Sequence, residues 1–162
     1  MNNLLNTVYN YFDLNQKYDD VTILSNLSAI IYDQFPDINW VGFYLFKNNE
    51  LILGPFQGKP ACMKIALNRG VCGHCASTLQ SIIVNDVHLF PGHIACDSAS
   101  NSELVVPIII DEKLYGLCSD IQCFYQAIQV KTPIVSRSRL VYLDDLQMRF
   151  AKFINNFNLI EL

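Results

Sequence analysis

Leu104-Val105-Val106-Pro107-Ile108-Ile109-Ile110-Asp111-Glu112-Lys113-Leu114-Tyr115-Gly116-Leu117-Cys118 decides how the middle of this chain folds. Two apolar runs flank Asp111-Glu112, a pair with the length of a tight hairpin turn. Residues 104–110 and 113–121 therefore read as paired antiparallel strands. The same logic upstream pairs Trp40 to Phe46 with Leu51 to Leu53 across Asn48-Asn49. Met63 to Leu67 and Ile82 to Val84 read as two shorter strands. Gly54 to Ala61, with two glycines and two prolines, reads as a loop. Gly70 to Thr78 suits a short helix after a glycine turn.

Helices bracket the strands. Leu4, Leu5, Val8, Tyr11 and Phe12 recur at helical spacing over residues 2–15. Asp20 is placed to cap a second helix over 21–35, with Ile23, Leu24, Leu27, Ile30, Ile31 and Phe35 on its apolar face and Pro36 as its stop. Tyr142 to Phe157 reads as a closing amphipathic helix. Asp86 to Asn101 is a long polar loop, a length that in compact domains usually serves function. Residues 122–141 hold no period and form an excursion before the last helix. Helices, then hairpin-linked strands, then a helix make an α+β domain: a central antiparallel sheet with N- and C-terminal helices packed on one face.

Size and composition bound the function. The 162 residues are most simply one domain, 1–162, and 51% are apolar, enough for a real core. A net charge of −4 and eleven scattered Lys and Arg residues argue against nucleic acid, which needs a basic footprint. No apolar run reaches the ~18 residues of a membrane span. The first fifteen residues lack the pattern of a signal peptide. The chain reads as soluble, intracellular and cytoplasmic.

Six cysteines remain to be explained. A secreted disulfide scaffold is a poor fit for a long apolar chain without an export signal. Cys118 and Cys123 lie in apolar or aromatic context and read as packing residues. Cys62, Cys72 and Cys96 lie in polar, Gly-rich sequence, the setting that thiolate chemistry requires. Three readings compete. Cys72-Gly73-His74-Cys75 has the pair spacing of a zinc site, with His88 and His93 as added ligands, but no second close pair exists. The same pair at a helix start resembles a dithiol exchange motif, but no βαβ framework precedes it. In the third reading Cys96 attacks an electrophile, and a distant cysteine, Cys62 or Cys72, condenses with the oxidised sulfur.

Several ordered stretches resemble the free methionine-(R)-sulfoxide reductases, which are GAF-domain proteins. They are Asn39-Trp40-Val41-Gly42-Phe43-Tyr44, Leu53-Gly54-Pro55-Phe56-Gln57-Gly58-Lys59-Pro60-Ala61-Cys62 and Arg69-Gly70-Val71-Cys72-Gly73. Phe90-Pro91-Gly92-His93-Ile94-Ala95-Cys96-Asp97-Ser98-Ala99-Ser100 and Ser102-Glu103-Leu104-Val105-Val106-Pro107 follow. The resemblance implies a GAF domain, commonly a homodimer. It implies Cys96 as the nucleophile on free L-methionine (R)-sulfoxide, Cys62 as resolving cysteine and Cys72 as a secondary partner. Thioredoxin, fed by NADPH through its reductase, is the implied reductant, with no metal or bound organic cofactor. Glu103 matches the position of the proton donor that the sulfoxide oxygen needs. Trp40 and Tyr44, four residues apart on one strand face, match the pocket for the S-methyl group.

One segment departs from the pattern. The family strand reads Gly-Val-Leu-Asp-Ile-Asp, where this chain has Gly116-Leu117-Cys118-Ser119-Asp120-Ile121-Gln122. The expectation is an inserted residue, with Asp120 keeping the first pocket aspartate, Gln122 replacing the second, and 122–132 an atypical insertion. Cys75 is a further oddity, a candidate for a disulfide with Cys72. The alternative function is therefore an impaired or non-catalytic GAF module that binds a small ligand or senses thiol oxidation.

Overall fold

The computed structural model describes residues 3–13, 16–35, 38–94 and 100–122. The expected helix at 142–157 and the segment 123–141 lie outside these, as do Cys96 and Cys123. The elements are α1 (Asn3–Tyr11), α2 (Asp20–Gln34), β1 (Ile38–Lys47), β2 (Glu50–Gly58) and β3 (Lys64–Ala66). They continue with α3 (Gly70–Thr78), β4 (Ile82–Val84), a 3-10 turn (Val87–Leu89), β5 (Ser102–Ile110) and β6 (Lys113–Gln122).

Among the described residues, six strands form one antiparallel sheet in the order β3-β2-β1-β6-β5-β4. The two hairpins, β1–β2 and β5–β6, sit side by side because β1 also pairs with β6. Asn48, Asn49, Asp111 and Glu112 all take positive φ, between 48° and 64°, as two-residue hairpin turns require.

β2 runs to Gly58, four residues beyond where the Gly54-Pro55 pair reads as a loop. Tyr44 faces Leu53 and Gly42 faces Phe56, so Phe43 alone opposes Gly54 and Pro55. This bulge accommodates the proline, and β3 covers only Glu50 to Ile52, leaving Pro55 on an open edge. Pro107 is tolerated for the same reason. β4 pairs with β5 only from Glu103 to Val105.

The sheet is covered on both faces. α2 buries Ile23, Leu24 and Leu27 against Phe43, Ile108 and Ile110, with Val8 and Phe12 adjoining. Ser28, inside that helix, donates to the carbonyls of Leu24 (2.9 Å) and Pro55 (3.2 Å), so its burial leaves no unmet polar atom. Asp19, not Asp20, is the N-cap, and it makes no side-chain cap bond. Asp20 instead accepts from the Tyr115 hydroxyl at 2.5 Å, tying the helix start to β6. α3 lies on the opposite face. There Val71, Cys72, Cys75 and Ala76 pack with Trp40, Tyr44, Val105 and Leu117.

Candidate functional site

The pocket opens on the α3 face of the sheet, between β1, β5, β6 and the start of α3. Trp40 and Tyr44 form one wall, their rings 6.2 Å apart. Two glycines make the slot that Trp40 occupies. A Cβ on Gly42 would lie 2.6 Å from the indole Cη2, and one on Gly58, at φ +121°, 2.8 Å from its Cδ1. The ring stacks on Phe56 at 5.6 Å, and its N–H donates to the Lys59 carbonyl at 3.1 Å. The Tyr44 hydroxyl donates to the Cys62 carbonyl at 2.9 Å, holding the loop that carries Cys62 against the wall.

Glu103 enters from β5. Its carboxyl is almost fully buried, and a single oxygen, Oε1, accepts both the Cys72 thiol at 3.3 Å and the Ser119 hydroxyl at 3.1 Å. Burial raises its pKa, and the bonds from Cys72 and Ser119 partly oppose that rise. Burial also pushes the Cys72 thiol well above its ordinary value, with the nearby Glu103 charge adding to it. The same two causes, in the same order, bring Cys75 up to about 12. Tyr44 rises as well, through burial and then its neighbours Cys72 and Glu103. The arrangement favours a protonated carboxyl beside neutral thiols.

The opposite rim is polar. Gly70, Val71 and Cys72, the first residues of α3, line the pocket with Arg69, His93 and Ser100. The N-cap residue Arg69 makes no side-chain cap bond to the first turn of α3, which lines the pocket. Ser100 is buried, and its Oγ has no hydrogen-bond partner among the described residues. An uncapped helix start beside an unmet hydroxyl is suited to an anionic group. Burial and then the neighbouring His88 lower the His93 pKa.

The expected site residues divide clearly. Trp40, Tyr44, Cys72 and Glu103 meet in the pocket. Cys62 packs against the same cluster, half-buried, and is disulfide-bonded. Cys72, Cys75 and Cys118 form no disulfide, so none of them is its partner. The Cys72–Cys75 disulfide is thus not formed; the Cys75 thiol turns instead to the Val105 carbonyl at 3.8 Å. No three His, Cys, Asp or Glu side chains cluster as metal ligands among the described residues.

Ser119 and Asp120 occupy successive rows of β6. From Ser102↔Gln122 to Ile108↔Gly116 the β5–β6 pairing runs without a break, while the β1–β6 pairing shifts by one residue between Ile38 and Trp40. Ser119 shares its row with Gly42 and Val105, and its hydroxyl reaches Glu103. Asp120 belongs to the next row, with Val41 and Leu104. Sequence reasoning missed Ser119 and Ser100. For Ser119 the signal was available, because two-residue alternation from Leu117 places both on one face. For Ser100 only the packed structure reveals the unmet hydroxyl.

No family model matches the chain. Among curated proteins, the free methionine-R-sulfoxide reductase of Escherichia coli K12 is 45% identical over 115 residues, covering 66% of this chain and 70% of that protein. The solved free methionine-R-sulfoxide reductase from Neisseria meningitidis, in complex with its substrate, is 31% identical. It superposes with a TM-score of 0.78 over 97% of this chain and 89% of that one. A solved GAF domain is 38% identical, with a TM-score of 0.73 over 92% of this chain and 84% of that one. Identity at this level over most of both chains, together with the same fold, settles the assignment: the chain belongs to the free methionine-R-sulfoxide reductase family and has a GAF fold.

Proposed function

We infer that this chain reduces free L-methionine (R)-sulfoxide to L-methionine. The observation that carries the reading is the buried Glu103 carboxyl beside the Trp40–Tyr44 wall, in a chain of this family. Reduction of a sulfoxide needs a proton on the departing oxygen, and a carboxyl kept neutral by burial supplies one. The apolar wall suits the S-methyl group. The uncapped start of α3, with Ser100 and Arg69, suits the carboxylate that a free amino acid presents.

In this reading Cys96 is the nucleophile. Its thiolate attacks the sulfoxide sulfur while Glu103 protonates the oxygen. The hydroxyl then passes from the methionine sulfur to the Cys96 sulfur as the bond between the two sulfurs breaks with its electron pair on methionine, so methionine leaves and Cys96 is a sulfenic acid. The Cys62 thiol then displaces water to form a disulfide. The bond at Cys62 supports its role as resolver. Cys72, Cys75 and Cys118 form no disulfide, and of the remaining two, Cys96 and Cys123, we assign Cys96 as the partner because it holds the family's nucleophile position. Cys72, held as a neutral thiol by Glu103, stays in reserve. We further propose thioredoxin as the disulfide reductant, a homodimer as the working assembly, and Ser119 in place of Asp120 as the β6 contribution to the pocket. The impaired or non-catalytic module is the reading that an inactive wild type would restore.

The test is turnover of free methionine (R)-sulfoxide with thioredoxin, thioredoxin reductase and NADPH, compared with the (S) epimer. NADPH oxidation with the (R) epimer alone, abolished in Cys96→Ser, is the expected result. Binding without thiol loss would overturn catalysis in favour of a sensor.

A further inference from the structure

We propose that Ser119 is a positioning residue that fixes which oxygen of Glu103 carries the catalytic proton. The proposal rests on the reading of Glu103 as proton donor and adds a second part to it.

A carboxylic acid has one oxygen that accepts and one that bears the proton. The Ser119 hydroxyl and the Cys72 thiol both donate to Oε1, at 3.1 and 3.3 Å. Two donors on Oε1 leave the proton on Oε2. Cys72 approaches from α3 and Ser119 from β6, so the two sides of the sheet-to-helix contact clamp one oxygen. Ser119 is fully buried, paired across the sheet with Gly42, whose place for a side chain is filled by Trp40 and Phe56. The hydroxyl is the stronger of the two donors, since a thiol donates weakly. Ser119 is therefore the principal anchor of Oε1.

The same bond tunes acidity. It stabilises the carboxylate more than the acid, so its removal makes Glu103 harder to ionise. The other groups around Glu103 are Cys72 and Cys75 from α3 and Tyr44 from β1, with Arg69 and His93 at the pocket rim. The residue that β4 sets opposite Glu103 is Val84, which does not titrate. All three neighbours that could become negative hold their protons at neutral pH, so Ser119 is the pocket's adjustable polar contact to the acid.

The experiment has two arms on Ser119→Ala and Ser119→Thr. In the first, the pH dependence of kcat/KM for free methionine (R)-sulfoxide is measured. Activity falls as pH rises through the Glu103 pKa, and in Ser119→Ala that fall moves to higher pH by about 0.5–1 unit, the equivalent of one hydrogen bond. Ser119→Thr, which keeps the hydroxyl, restores the wild-type profile. In the second arm, infrared difference spectra follow the protonated Glu103 carbonyl, identified by its loss in Glu103→Gln. The band moves to higher wavenumber in Ser119→Ala and not in Ser119→Thr. A wild type without turnover would overturn the catalytic reading. A band unmoved by Ser119→Ala would overturn the positioning, whatever the turnover.

Discussion

Cys72 donates its thiol proton to Glu103 across 3.3 Å inside the core. The pair cannot both be charged, because burial and like-charge repulsion act together on them. This one contact separates the cysteines by reactivity. Cys72 is expected to alkylate at neutral pH at least about tenfold more slowly than an unhindered cysteine. Glu103→Gln removes the charge next to it and should speed that reaction at high pH. Mass mapping of iodoacetamide adducts against time checks both.

Glu103→Gln also separates activity from stability. The amide oxygen can still accept from Cys72 and Ser119, but the proton for the sulfoxide oxygen is gone. Turnover is expected to fall by about 10²–10⁴. The folded pKa of Glu103 is raised, so its contribution to stability is fullest below the ordinary carboxylate range and is lost as pH rises through the folded pKa. Glutamine suffers no such loss. Above that window the variant should be more stable than the wild type by about 1 kcal/mol, read from urea unfolding at two pH values.

Trp40→Phe tests the methyl wall with less damage than alanine. It deletes the indole N–H bond to Lys59 and part of the stack on Phe56. A loss of about 1–2 kcal/mol in stability and a rise in KM larger than the fall in kcat are expected. Gly42→Ala should be harsher, since the new methyl meets Phe56 Cβ at 2.4 Å as well as Trp40.

Ser100→Ala probes the polar rim. In the unliganded protein it removes a buried hydroxyl that lacks a partner among the described residues, so stability should hold or rise slightly. Affinity for free methionine (R)-sulfoxide should fall about tenfold, while that for dimethyl sulfoxide, which has no carboxylate, should not change. Isothermal titration with both ligands measures the contrast.

Much of the fold was legible because its signals are local. Asp111-Glu112 and Asn48-Asn49 announce their hairpins, and Gly70 to Thr78 is a helix in the structure as in the sequence. Gly54-Pro55 misled, because a proline on an open strand edge beside a bulge looks in sequence like a loop. Asp20 misled for another reason: its partner is Tyr115, 95 residues away, which no local rule reaches. At the site, Trp40, Tyr44, Cys72 and Glu103 could be named from sequence, but not the shared oxygen that joins Cys72 to Ser119. Ser119 lies one residue from Asp120 on β6, and it is the serine hydroxyl that reaches Glu103. Single-residue shifts of this kind reverse a strand's faces, and composition cannot report them.

The central claim is that this pocket reduces free methionine (R)-sulfoxide through a cysteine, with Glu103 as the proton donor. The most direct measurement is single-turnover thiol counting on the fully reduced protein with one equivalent of that sulfoxide. The account predicts two thiols lost for each methionine formed, neither of them Cys75 or Cys118, and no loss on this timescale in Glu103→Gln. Methionine formed at the wild-type rate by Glu103→Gln, or sulfoxide bound by the wild type with every thiol retained, would contradict it.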